Sequence, residues 1–175
     1  MKPIRIETER LTIRPHEAAD FDAYFAYIMD PELQDMLGLH GVTDRTSAWE
    51  TFQWLRENTI FLALVPKDSS QTLGHIALHP PFDSLSHDSE FQGKTGYSLS
   101  FAIATKEQRR GLMREALETL IPELFQHQGA DFLDCEAEPS NTACLSLQQK
   151  LGFTLWRQER WYDTELVIQV LMKEQ

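Results

Sequence analysis

Residues 101–128 constrain this chain more than any other stretch. Phe101-Ala102-Ile103-Ala104 closes a run that reads as a strand, a short basic turn follows, and Gly111 opens the best helix in the sequence. Met113, Ala116, Leu117, Leu120, Ile121 and Leu124 fall on one face of that helix. An apolar helical stripe joined so closely to a strand has to be buried against a sheet, which calls for a layered α/β or α+β architecture. Pro122 removes one backbone donor inside the helix and is expected to kink it or shorten its regular part.

The remaining periodicity agrees. Strands are expected over residues 7–15, 60–65, 72–78, 96–104 and 131–138, and a hairpin over 154–172 turns near Asp163-Thr164. Helices are expected over 18–29, 47–58, 111–128 and 141–151, the last closed by Gly152. Residues 79–95, rich in Pro, Ser, Asp and Gly, read as a long loop that is either functional or partly disordered. With no internal repeat and no linker, residues 1–175 are expected to form a single domain.

Composition excludes several classes of function. A net charge of -11 is unfavourable for nucleic acid, whose phosphates require a basic patch. No apolar run approaches the roughly 18 residues needed to cross a bilayer. The opening Met1-Lys2-Pro3-Ile4-Arg5-Ile6-Glu7 places an acid where a signal peptide would carry its apolar stretch. Two cysteines, Cys135 and Cys144, are too few for a disulfide framework. A cytoplasmic protein with neither nucleic acid nor membrane as partner is expected.

Against that acidic background, residues 106–114 hold Lys106, Arg109, Arg110 and Arg114 with only Glu107 to oppose them, a local charge of +3. The first amides of a helix lack intrahelical acceptors and sit at the positive end of its dipole. A diphosphate can accept from those amides, and Gly111 lets it come close to the backbone. The turn reads equally as a solvated helix start with surface arginines. Neither a Gly-x-x-x-x-Gly-Lys-Ser/Thr loop nor a Gly-x-Gly-x-x-Gly fingerprint occurs in the chain.

Motifs at consistent spacing along the chain resemble a known family. Gln108-x-x-Gly111-x-Met113 is similar to the Gln/Arg-x-x-Gly-x-Gly/Ala signature of GNAT N-acetyltransferases, with Met113 standing where Gly or Ala is usual. The segment from Asn141 through Lys150-Leu151-Gly152-Phe153 resembles the Asn-x-x-Ser-x-x-x-Leu-Glu-Lys-Leu-Gly-Phe segment of the RimJ/RimL branch. Thr8-Glu9-Arg10-Leu11-Thr12-Ile13-Arg14-Pro15 looks like that branch's opening strand, and Gly74-His75-Ile76 like its Gly-x-Ile strand.

The resemblance implies a mixed, mostly antiparallel sheet of about seven strands flanked by helices, splayed between the fourth and fifth. It implies acetyl-CoA as cosubstrate and no metal. The backbone of Phe101, Ala102 and Ile103 would line the pantetheine arm, and Gln108, Arg109, Arg110, Gly111, Leu112, Met113 and Arg114 would take the pyrophosphate. Asn141 would reach the pantetheine region, although Asn is also a favoured helix cap there.

Acetyl transfer needs a neutral amine. A free α-amine has a pKa of about 8 and lysine about 10.4, so an N-terminal acceptor asks less of a base. By resemblance Glu136 is the candidate base. Asp134, Glu136 and Glu138 share one face by strand alternation, which also fits a solvated acidic edge. The leaving thiolate needs a proton. Gln148 stands where many GNAT enzymes have tyrosine, and Cys144 where this branch has serine, so Cys144 is the candidate acid, with water or plain packing as alternatives. His75, His79 and His87 read as surface histidines, and Trp49, Trp54, Trp156 and Trp161 as core or cleft wall.

The expected activity is direct acetyl transfer from acetyl-CoA to a primary amine. The acceptor would be a ribosomal or other protein N-terminus or a small amine, and the enzyme a monomer or homodimer. Two rival expectations are a catalytically inactive acyl-CoA-binding sensor or scaffold and an unrelated α/β binding module. The loops at 30–47 and 79–95 would select the acceptor.

Overall fold

The computed structural model describes residues 3–174; Met1 and Lys2 of the opening segment, and Gln175, lie outside them. The elements are β1 (Ile6–Glu7), β2 (Leu11–Pro15), α1 (Phe21–Ile28), α2 (Pro31–Leu37), α3 (Arg45–Asn58), β3 (Ile60–Pro66), β4 (Gly74–His79), α4 (Asp83–Ser86), β5 (Gly96–Ile103), α5 (Leu112–His127), β6 (Phe132–Ala137), α6 (Thr142–Lys150), β7 (Thr154–Trp161) and β8 (Thr164–Met172). The strands form one open sheet in the order β1-β2-β3-β4-β5-β6-β8-β7. It is mostly antiparallel, with β5 and β6 parallel. Eight strands rather than about seven arise because residues 7–15 divide at a turn, where the Leu11 N–H donates to Thr8 Oγ1 at 2.8 Å.

The chain divides into two compact units. The first comprises the residues up to Ala77 and Phe101–Thr119. Its core sets Tyr24, Ile28 and Phe52 of the helices against Phe61 and Ala77 of the strands, together with Ala102 and Ala104. In β2 only Leu11 and Ile13 point inward, whereas β3 is buried along almost its whole length, as its continuous apolar run requires. Each large side chain so buried contributes about 1.5–3 kcal/mol. Arg14 makes two hydrogen bonds to Asp20, at 2.7 and 2.8 Å, and so ties the end of β2 to the start of α1. Burial pushes the Asp20 carboxyl up, but bonds from Arg14, His16 and the Glu17 N–H outweigh it and hold it well below the usual range.

α2 falls inside the stretch expected to be loop. Asp30 caps it by accepting from the Glu32 N–H, Pro31 occupies its first turn, and Gly38 ends it at φ 65°. The cap signals were present in the sequence, but a seven-residue helix is too short to show a period.

The second unit comprises Leu78–Ser100 and the residues from Leu120 on. Here the segment expected to be a functional or partly disordered loop is ordered and contributes to the core. It forms α4 and places Leu85 and Phe91 with Phe132, Ile168 and Val170 in a core. Phe91 meets Phe132 with ring centroids 4.6 Å apart, and a Cβ on Gly96 would lie only 2.2 Å from the Phe132 ring. β5 and β6 pair over only three residues, Gly96–Ser98 against Phe132–Asp134; beyond that, Cys135–Ala137 pair with β8.

α5 runs from Leu112 to His127 with Pro122 inside it. Two sequence expectations are corrected. His75 is buried, not on the surface, and shares a 2.9 Å hydrogen bond with Tyr27 Oη. Trp54, 54% exposed, is not a core residue, whereas Trp49 packs against Phe21 and Phe52, and Trp156 against the core of the second unit.

Candidate active site

The first unit contains the basic turn. After β5, a 3-10 turn at Thr105–Glu107 leads to Gln108, whose side-chain amide donates to the Ile103 carbonyl at 3.3 Å and closes the loop. Arg109 then takes φ 61° and Gly111 φ 77°. A non-glycine residue in the left-handed region is uncommon, and such conformations collect at ligand clamps. A Cβ on Gly111 would meet nothing closer than Arg10 Nη2 at 3.6 Å, so its backbone angle rather than lack of room requires glycine. The Glu115 N–H is bonded back to Gly111 O at 3.0 Å, so the amides of Leu112, Met113 and Arg114 precede the helix's own ladder. Met113 is buried.

The local charge is smaller than the sequence count. Arg110 pairs with Glu107, and Arg114 Nε lies 2.7 Å from Glu118 Oε1. Among the described residues, Arg109 and Lys106 are left outside ion pairs. The turn borders a cavity of about 1040 Å³ in the same unit, whose wall carries Arg10, Lys67, Lys106 and Arg110 together with Asp30, Asp68 and Glu107.

Sequence reasoning missed what braces this turn. Glu115, in the first turn of α5, accepts from Thr8 Oγ1 at 2.5 Å, from the Arg10 N–H at 2.8 Å and from Arg10 Nε at 2.6 Å. Arg10 Nη1 also donates to the Arg110 carbonyl at 3.0 Å. Burial would raise the Glu115 carboxyl, but these donors win and its pKa is lowered. The signal was the Thr8-x-Arg10 pair, visible only as part of a resemblance. Replacing Glu115 by Ala is expected to cost about 2 kcal/mol by leaving these donors unmatched, read as a lower denaturation midpoint.

Gly74 lies against the strand that leads into the turn. A Cβ there would stand 2.4 Å from the Ala102 carbonyl oxygen and 2.9 Å from Ile103 Cα. Ala104 donates its N–H to Leu73 O at 2.8 Å. Close backbone approach fixes where Ala102 and Ile103 lie.

The second unit contains the acids and thiols. Alternation along β6 puts Asp134 and Glu136 on one face and Cys135 on the other. Asp134 is fully buried and Glu136 half-buried, so the solvated-edge reading fails for both; only Glu138, beyond the strand, is exposed. Asp134 Oδ2 accepts the Phe82 N–H at 3.3 Å, while Glu136 Oε2 accepts from Ser98 Oγ at 3.0 Å. Burial, reinforced by Glu136, pushes the Asp134 carboxyl up to about 7, and burial also raises Glu136.

On the opposite face, Cys135 Sγ donates to Leu99 O at 3.1 Å. Asn141 caps α6 by accepting the Cys144 N–H at 3.2 Å, so its capping role is present. Gln148, in the position where a tyrosine was sought, is buried and donates to both sulfurs, Cys135 at 3.0 Å and Cys144 at 3.1 Å. A hydrogen bond between the thiols raises the Cys135 pKa, with burial adding to it, and lowers that of Cys144. Both cysteines are free. Among the described residues, no three His, Cys, Asp or Glu side chains are grouped to hold a metal, and no helix is long and apolar enough to cross a membrane.

Residues 10–154 match the family model described as Acetyltransferase (GNAT) domain. The chain belongs to the GNAT acetyltransferase family. A curated relative, an uncharacterized N-acetyltransferase p20 of Bacillus licheniformis, is 24% identical over 151 residues, covering 83% of this GNAT chain and 80% of its own. Among solved structures, the ribosomal-protein-S5-alanine acetyltransferase of Vibrio fischeri superimposes with a TM-score of 0.73 at 13% identity, covering 97% of this chain and 96% of its own. RimL, a ribosomal L7/L12 α-N-protein acetyltransferase in complex with coenzyme A, gives 0.78 at 12% identity over 97% and 98%. At such identities the likeness shows the fold alone.

Proposed function

We propose that this GNAT protein transfers an acetyl group from acetyl-CoA directly to a primary amine, as one cytoplasmic catalytic domain. The left-handed turn at Arg109 and Gly111, braced by Arg10 and Glu115, carries the reading. It offers helix-start amides and unpaired cationic side chains to a diphosphate, as the pyrophosphate of coenzyme A requires. Gln108 to Arg114 hold that group, and Phe101 to Ile103, fixed by Gly74, present backbone to the pantetheine arm. The resemblance assigns Asn141, the cap of α6, to the pantetheine region.

Glu136 is the proton acceptor for the amine, directly or through water. Its burial supports the role, because a carboxylate with a raised pKa is a stronger base toward an ammonium. Cys144, whose thiol gives up its proton more readily than an ordinary one, returns a proton to the departing thiolate. The names of the solved ribosomal-protein acetyltransferases favour a protein N-terminal α-amine as acceptor over a small amine.

The test mixes protein and acetyl-CoA with a panel of free amino acids, polyamines, aminoglycosides and ribosomal N-terminal peptides. Amine-dependent thiol release, strongest with the peptides, is expected. Coenzyme A binding without turnover across the panel would identify an acyl-CoA sensor instead. Reversing charge at Arg109 and Arg110 together should raise the coenzyme A Kd at least tenfold; an unchanged Kd would remove the phosphate site from this turn.

A further inference from the structure

Asp134 is a second buried acid beside the proposed base, and the proposed function leaves it without a task. It is 0% exposed, and its Oδ1 has no hydrogen-bond partner, while Oδ2 is taken by the Phe82 N–H. Ionised and alone, such an oxygen would cost several kcal/mol, so the site favours a proton or a shared charge there. Strand alternation puts Glu136 on the same face, and Ser98, the register partner of Asp134, donates to Glu136 at 3.0 Å. Ile168 and Val170 of β8, the register partners of Glu136 and Asp134, and the core around Leu85 and Phe91 surround the pair with apolar groups. The titratable groups across β6 are the Cys135 and Cys144 thiols. Among the described residues, no Lys, Arg or His lies within ion-pair distance of either carboxyl.

We propose that Asp134 and Glu136 act as one proton-holding unit, in which Asp134 is a positioning residue that raises the basicity of Glu136 toward the amine. The inference rests on Glu136 as the base. Two close carboxylates without a cation resist double ionisation, so each strengthens the other's hold on a proton. A matched base results, whereas an ordinary carboxylate lies too far below an α-amine to take its proton readily. In the transfer, one N–H bond of the ammonium breaks and its proton goes to Glu136. The nitrogen lone pair then forms the bond to the acetyl carbon, the C–S bond breaks with its electrons on sulfur, and a second N–H proton finishes as the thiol proton. Ser98 opposes the pair at both carboxyls, because its hydroxyl favours the ionised form of Asp134 as well as of Glu136.

Asp134→Asn separates this role from a structural one, since the amide oxygen still accepts the Phe82 N–H while the charge is gone. Two readouts apply: the acid limb of kcat/KM against pH, and carboxyl carbon NMR titration of Glu136 in the unliganded protein. Asp134→Asn is expected to move both midpoints to lower pH by about one unit, and Ser98→Ala to move them to higher pH. A Glu136 midpoint unmoved in Asp134→Asn would overturn the coupling whatever the kinetics show. The base reading fails separately if Glu136→Gln retains the wild-type acid limb. In that case the carboxyl titration still decides whether the two groups are linked.

Discussion

Gly74→Ala is expected to be the most damaging single-methyl change in the first unit, costing about 3 kcal/mol or more and weakening coenzyme A binding with it. The new Cβ would sit 2.4 Å from the Ala102 carbonyl oxygen and 2.9 Å from Ile103 Cα. Both obstacles are backbone, so no side-chain rotation relieves the clash, and either β4 or β5 must shift. Ala104 is tied to Leu73 by a 2.8 Å hydrogen bond, which resists that shift on one side. Gly41→Ala is the matched control, because its Cβ would meet nothing within 4 Å. Urea unfolding should show a large loss of midpoint for the first variant and almost none for the second. Equal midpoints would mean that the two strands are not held as closely as these distances imply.

The sequence carried the parts of this fold that repeat. The apolar run of β3, the alternation of β2 and the stripe of α5 each state a period, and each formed within a few residues of its expected bounds. Local chemistry was legible too: the Gln108-x-x-Gly111 spacing marked the strand-to-helix turn, and Asn141 marked the cap of α6. What could not be read was contact between residues far apart in sequence. The Glu115 carboxylate meets Thr8 and Arg10 across more than a hundred residues, and nothing local to either segment signals the meeting. The same holds for His75, whose polar ring suggested the surface although Tyr27 holds it in the interior. Residues 79–95 misled for the opposite reason. Turn-forming composition hid Leu85 and Phe91, whose burial depends on Phe132 and β8 and on no spacing of their own. Glu136 could be picked out by position, but its half-buried setting beside Asp134 required the fold.

Wild-type stability is expected to fall between pH 5 and pH 8, and Asp134→Asn to abolish most of that fall. The sign follows from the direction of the shift. Folding raises the Asp134 carboxyl from an ordinary 3.8 to about 7, so the folded chain binds the proton more tightly than the unfolded chain. Between those values the folded state holds more protons, and stability declines as pH rises. The contribution is complete below about pH 4 and lost above about pH 7, an amount of up to about 4 kcal/mol. Glu136 is raised by burial and acts in the same direction. Asp20 acts oppositely: its carboxyl is lowered on folding, so its contribution is present above the ordinary carboxylate range and disappears in acid. The two slopes place maximum stability on the acidic side of neutrality. Against a total of about 5–15 kcal/mol for a protein of this kind, the neutral-side loss is large enough to see in a thermal midpoint. Asp134→Asn should therefore melt above wild type at pH 8, by less at pH 5, and lose that advantage by about pH 4. A wild-type midpoint that is level across this interval would show that Asp134 ionises without penalty, and the carboxyl pair would have no energy to lend to a base.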